Sequence, residues 1–174
     1  YKAIYSNKNY FYLAGFLFGL SLLSKEGAIF VGASICFFTL ISKNRKDIFI
    51  SKEFYLSFII AALVYSPFII YNFQTDFTFI KYALYRQLQK EGSISRTLDF
   101  WGAQIGLYSP LFFILFCYLI VKVYINFFKK KEIENNFYFA FISLIPFIYI
   151  LQKSFKNKLE ANWALFMYAG GLFL

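Results

Sequence analysis

The sequence contains no histidine. No histidine general base, Ser-His-Asp triad or histidine metal ligand can therefore come from these residues. It has two cysteines, Cys36 and Cys117, both inside long apolar runs. Two are too few for an all-cysteine zinc site, and their setting argues against a disulfide. Charge is also scarce: only 16% of residues are Asp, Glu, Lys or Arg, and just 9 are acidic against 18 basic. A soluble domain carries about 25% charged residues. That shortage excludes an ordinary soluble monomer, and the apolar content excludes a disordered chain.

In place of charge there is apolar and aromatic mass. Of 174 residues, 60% are hydrophobic, with 26 Phe, 15 Tyr and 2 Trp. Mean hydropathy is +0.56. The composition is that of an all-α integral membrane protein, because the apolar runs lack the alternation of a membrane β-barrel. The net charge of +9 sits in loops between apolar runs. Cations so placed meet lipid headgroups rather than nucleic acid.

Uncharged stretches mark about six spans, near 9–24, 27–42, 54–73, 100–127, 135–152 and 161–174. A helix needs about 20 apolar residues to cross the hydrocarbon core. Residues 9–42 are read as two short helices joined at Lys25-Glu26-Gly27, since a charged pair at mid-bilayer is costly. Gly27 is the expected helix terminator. Pro110 is expected to kink the span that holds it, as are Pro67 and Pro146. Phe77, Ile80, Leu84 and Leu88 recur at helical spacing, with Lys81, Arg86 and Lys90 around them. They predict a short amphipathic interfacial helix that ends at Glu91-Gly92-Ser93. The chain starts at Tyr1 and stops inside an apolar run, which reads as an internal fragment. Compact basic clusters (Lys2 and Lys8; Lys43, Arg45, Lys46 and Lys52; Lys129 to Lys131) assign those loops to the cytoplasm.

Four polar clusters interrupt the apolar pattern on the opposite side. Ser24-Lys25-Glu26-Gly27 is either a polar turn with Lys25 snorkelling, or a cation held near an anionic ligand with Glu26 beside it. Asn72-Phe73-Gln74-Thr75-Asp76 is either a helix end with capping side chains, or a set of hydroxyl-binding groups. Arg86, with Lys81 and Lys90, is either solvated surface or a contact for lipid phosphate, which suits a planar guanidinium. Leu159-Glu160-Ala161-Asn162-Trp163 is either a tryptophan belt with an Asn cap, or an edge that meets a polar substrate. Gln104 is expected to face other helices rather than lipid.

The same clusters carry a family resemblance. Gly19-Leu20-Ser21-Leu22-Leu23-Ser24-Lys25-Glu26-Gly27 resembles the "GLALLTKG"-type segment of bacterial membrane glycosyltransferases of family 39. That family includes protein O-mannosyltransferase-like and lipid A aminoarabinose transferase-like enzymes. Tyr71-Asn72-Phe73-Gln74-Thr75-Asp76-Phe77 is similar to its "WNxQHDW"-like segment. Residues Leu98 to Pro110 are similar to its "flggQlgllsP" helix, and Leu159 to Trp163 to its "vEANW" segment. Two positions depart: Thr75 stands where the family has His, and Ala164 where it has Pro.

The resemblance implies a GT-C-type bundle. It implies transfer of a sugar from a polyprenyl-phosphate donor to a protein, lipid or glycan acceptor, at the outer face of a bacterial inner membrane. It implies a catalytic carboxylate in an early outer loop that lies outside these residues. No cofactor is expected, and no metal-ligand cluster stands out in the sequence. Lys25 and Arg86 become candidates for the donor phosphate. Glu26, Asn72, Gln74, Asp76, Gln104, Glu160, Asn162 and Trp163 become candidates for sugar or acceptor contacts. Tyr71 and Trp101 are candidates for lining a lipid groove. The alternatives are a transporter or lipid flippase segment, which would carry charges along a pathway at mid-bilayer, and an inactive structural subunit.

Overall fold

The computed structural model describes residues 1–88, 93–107, 109–129, 134–157 and 159–170. Among these residues the secondary structure is entirely helical. In chain order the helices are α1 (Lys2–Tyr5), α2 (Tyr10–Ser24), α3 (Ala28–Ile41), α4 (Arg45–Ile50), α5 (Lys52–Gln74), α6 (Thr78–Leu88), α7 (Ile94–Leu107), α8 (Pro110–Phe128) and α9 (Glu134–Lys156). A 3₁₀ helix over Ala161–Tyr168 follows. The bundle is an all-α membrane fold: Lys52–Gln74, Pro110–Phe128 and Asn136–Lys156 are long and apolar enough to cross a bilayer. Helices α2 and α3 are apolar but shorter, at 15 and 14 residues. Large side chains such as Leu13, Leu63, Leu111 and Ile114 stand exposed along the helices. In lipid that exposure carries no hydrophobic penalty.

The chain folds as two compact units. The first holds residues 1–32 with 36–88, and the second holds residues 33–35 with the described residues from Ser93 on.

In the first unit α2 and α5 run parallel and touch backbone to backbone. Gly15 lies against Ser57: a Cβ on Gly15 would collide with the Ser57 carbonyl oxygen. A Cβ on Gly19 would come within 2.8 Å of the Ala61 carbonyl oxygen and 2.7 Å of the Val64 Cβ. Small residues four apart on both helices, Gly15 and Gly19 facing Ser57 and Ala61, allow this approach. At the start of the pair, Phe11 packs edge-on against Phe54, ring centroids 5.5 Å apart. Phe49 and Phe58 also pack on Phe54, at 5.3 and 5.1 Å.

Pro67 sits inside α5 and removes the amide donor that would serve the Leu63 carbonyl. The Ser66 hydroxyl donates to that same carbonyl at 2.7 Å, so the break in the ladder is covered.

In the second unit α9 packs against α7, α8 and the 3₁₀ helix. Its core is Phe100, Phe116, Ile150, Ala164, Met167 and Tyr168, all buried. Gly170 lies against α9 so closely that a Cβ would meet the Phe139 carbonyl oxygen and, at 2.8 Å, the Ser143 hydroxyl.

Three local expectations are corrected. Gly27 does not terminate α2 in a left-handed conformation: its φ is −57°, and it caps the start of α3. Helix α2 ends instead because Lys25 is extended, at φ −158° and ψ 126°. The stretch 100–127 is not one kinked span. It divides into α7 and α8, and Pro110 opens α8, where its missing N–H and fixed φ are suited to the first helical position. Ser109 before it has φ 67° and ψ 134°; the ψ is what a residue preceding proline requires. Residues 161–168 form a 3₁₀ helix rather than the first turns of an α-helical span. The amphipathic helix is present as α6, while its expected stop at Glu91-Gly92 lies outside the described residues.

Candidate functional site

The register between α2 and α5 fixes the level of the first polar cluster. With Gly15 opposite Ser57 and Gly19 opposite Ala61, Tyr10 is level with Lys52 and Ser24 with Ser66. The remaining two turns of α5 continue about 12 Å beyond the end of α2. The Lys25-Glu26-Gly27 turn is therefore recessed below the end of α5.

The turn is closed by backbone hydrogen bonds. Ala28 N–H donates to the Lys25 carbonyl at 3.0 Å, and Ile29 N–H to the Glu26 carbonyl at 3.1 Å. Lys25 is half-buried and Glu26 is exposed. An interrupted helix pair, rather than one continuous charged helix, is what the sequence predicts here.

The second cluster caps α5 at the same end of this unit. Asn72 is 1% exposed. Its amide nitrogen donates to the Phe68 carbonyl at 2.8 Å, which fixes the amide orientation. Its Oδ1 is buried and has no hydrogen-bond partner among the described residues. An orphaned buried acceptor costs about 1–3 kcal/mol, so it marks a place where a donor belongs.

The chain then reverses through two residues with positive φ, Asp76 at 51° and Phe77 at 56°. Phe77 N–H reaches back to the Asn72 carbonyl at 2.7 Å, closing the helix end. A left-handed Phe is strained by about 1–3 kcal/mol. Its ring packs on Phe73 with centroids 4.9 Å apart, which helps to offset that cost. Asp76 is exposed and pairs with Lys81 at 2.8 Å, and this cation holds its carboxyl below the usual range. Gln74 and Tyr71 are exposed at the end of α5. Arg86 lies on α6, and its side chain is outside the described residues, as is Lys90.

The remaining candidates belong to the second unit. Gln104 is completely buried. Its Nε2 donates to the Ala161 carbonyl at 2.9 Å, and its Oε1 accepts from the Tyr168 hydroxyl at 3.4 Å. It ties α7 to the segment holding Glu160, Asn162 and Trp163. Glu160 and Asn162 are exposed, while Trp163 is half-buried against the core. Trp101 is half-buried. Its Nε1 donates to the Ser154 hydroxyl at 3.2 Å, and its ring packs against Phe147 at 5.9 Å. Thr97 adds a bond to the Ser154 carbonyl at 2.7 Å.

Sequence reasoning passed over two features. The Gly15-xxx-Gly19 seam was readable from small residues four apart in both α2 and α5. The Ser66-Pro67 repair was readable from a serine preceding a proline inside an apolar run.

The recessed charged turn and the α2–α5 seam lie in the part of the chain that is similar to known proteins. Residues 1–71 match the family model of dolichyl-phosphate-mannose-protein mannosyltransferase. This is a membrane glycosyltransferase family of the GT-C type. The matched stretch contains the whole Gly19–Gly27 motif and stops at the first residue of the Tyr71–Phe77 motif. The motifs over Leu98–Pro110 and Leu159–Trp163 lie outside it. No curated protein and no solved structure matches the chain.

Proposed function

We propose that the protein is a membrane glycosyltransferase that moves a sugar from a polyprenyl-phosphate donor to a hydroxyl acceptor on a protein, lipid or glycan. The observation that carries this reading is the recessed Lys25-Glu26 turn inside the stretch that matches the mannosyltransferase family model. In the reaction the anomeric carbon gains positive charge and the lipid phosphate departs as an anion. A cation held below the membrane boundary is suited to stabilise that anion, because water screens it less there. Lys25 and Arg86 are assigned to the donor phosphate. Glu26, Asn72, Gln74 and Asp76 are assigned to hydroxyl contacts in the first unit. Glu160, Asn162 and Trp163 are assigned to the sugar or acceptor in the second, with Gln104 holding their segment. The acceptor's proton goes to a carboxylate general base that lies outside these residues. The active face is the one opposite the clustered cations, and the compartment that fits is the bacterial inner membrane.

The test uses the full-length protein in liposomes with a panel of labelled polyprenyl-phosphate sugars. Lys25→Ala and Arg86→Ala should each reduce sugar transfer by about tenfold or more. Unchanged turnover in both variants removes them as phosphate ligands. No transfer from any lipid-linked sugar by the wild type defeats the reading as a whole.

A further inference from the structure

At the end of the first unit away from the charged turn, short segments are tied into a collar. The Tyr5 hydroxyl pairs with the Ser42 hydroxyl at 3.2 Å, and the Asn44 amide donates to the Ile4 carbonyl at 3.1 Å. Lys8 Nζ donates to the Asp47 carbonyl at 3.0 Å. Ile4 and Ile48 are buried beneath these bonds, at 7% and 1% exposure. Helices α2 and α5 both start here, so Lys52 joins the collar.

The collar is strongly cationic. Lys43, Arg45, Lys46 and Lys52 are exposed and make no ion pair among the described residues. Lys2 lies over the Tyr10 ring at 5.7 Å. The acids on the same segments are the exposed Asp47 and the half-buried Glu53. Apolar side chains stand exposed beside the cations: Ile50 at 84%, Ile41 at 55% and Leu40 at 50%. A surface for nucleic acid or an acidic protein has no use for a bare Ile50. A boundary where hydrocarbon meets headgroups accommodates both features at once.

We propose that this collar is a binding surface for anionic phospholipid headgroups. The positive charge selects the headgroup, the exposed isoleucines and leucine sit in the acyl layer, and the hydrogen bonds hold together the segments that carry the cations. The surface does not depend on the transferase reading, and its test needs no turnover.

The full-length protein, reconstituted in nanodiscs of mixed phosphatidylglycerol and phosphatidylcholine, is extracted, and its retained lipids are counted by native mass spectrometry. Wild type should retain phosphatidylglycerol preferentially, and rising salt should erase that preference. The triple variant K43Q/R45Q/K46Q should lose about tenfold or more of it. The variant K122Q/K153Q/K156Q, with an equal change of charge outside the collar, should keep it. Equal retention of the two lipids by wild type, or full preference in K43Q/R45Q/K46Q, overturns the proposal. Should the collar variant not fold, the salt dependence of wild type decides alone: a preference insensitive to salt is not electrostatic and overturns it too.

Discussion

The two units carry the same kind of polar residue and use it in opposite ways. In the second unit, Gln104 bonds through both ends of its amide, and on the same helix Thr97 and Trp101 both bond to Ser154. In the first unit, Asn72 is as deeply buried, but only its nitrogen is engaged, and its oxygen has no partner among the described residues. One amide is a structural clamp. The other keeps an unmet acceptor beside a strained turn. A buried amide is therefore not evidence for a site until both of its ends are followed.

The first unit also differs in what holds it together. Its central seam depends on the absence of side chains, so adding a methyl group there should have the largest effect of any change considered. In Gly15→Ala the new Cβ meets the Ser57 backbone, which cannot rotate away. The expected loss is about 3 kcal/mol. Gly102, in the second unit, sits in a helix interior where an added Cβ would have nothing within 4 Å of it. Gly102→Ala should gain about 0.5–1 kcal/mol. Unfolding titrations in mixed micelles measure both. Equal effects at the two glycines would show that α2 and α5 do not pack through Gly15.

Next in size is the comparison of the two amides. Gln104→Leu leaves the Ala161 carbonyl and the Tyr168 hydroxyl without this partner and should cost about 2–3 kcal/mol. Asn72→Leu gives up one bond to a carbonyl on its own helix and removes the orphaned acceptor. Its stability should stay within about 1 kcal/mol of wild type. Sugar transfer should nevertheless fall in Asn72→Leu if the acceptor serves a ligand. A strongly destabilised Asn72→Leu would make it a clamp like Gln104 and end the contrast.

Much of the fold was legible because its signals are local. Runs of apolar residues placed the long helices, and the cost of a charged pair at depth separated α2 from α3. The amphipathic spacing from Phe77 onward gave α6. Other features depend on partners distant in sequence, and local pattern could not supply them. Gln104 is polar in an apolar run, which signals a role, but only the fold shows that Ala161 and Tyr168 meet it. Trp101 reads as an aromatic in an apolar run, and only the fold shows Ser154 at its nitrogen. The break at Ser109 was partly legible. Pro110 announced a disturbance, but whether a proline kinks a helix or starts one depends on the backbone before it. The recess of the Lys25-Glu26 turn was hidden for another reason: it is a difference in level between two helices, set by which glycine meets which carbonyl.

The repair at Pro67 offers a smaller test within the first unit. Ser66→Ala removes the hydroxyl that serves the Leu63 carbonyl. The expected cost is about 1 kcal/mol, because one hydrogen bond to an otherwise unserved carbonyl is lost. The double variant Ser66→Ala/Pro67→Ala restores the backbone donor and should recover that loss. Failure to recover would mean that the hydroxyl does not substitute for the missing amide.

The smallest effect belongs to the ion pair at the tip of the same helix. Asp76 and Lys81 are largely exposed, and pairs of this kind contribute little to stability. The pairing lowers the Asp76 carboxyl below its ordinary value. A lowered folded-state value means that any stabilisation is present above the ordinary carboxylate pKa and is lost as pH falls through the lowered one. Lys81→Gln should therefore raise the Asp76 titration toward the ordinary carboxylate value, as read by carboxyl-resolved NMR, while the melting temperature at neutral pH hardly moves. High salt should mimic the substitution, because the pair is open to screening. A large fall in melting temperature would mean that the pair braces the left-handed turn at Asp76 and Phe77, moving that turn from the lightly held tip of the first unit into its structural frame.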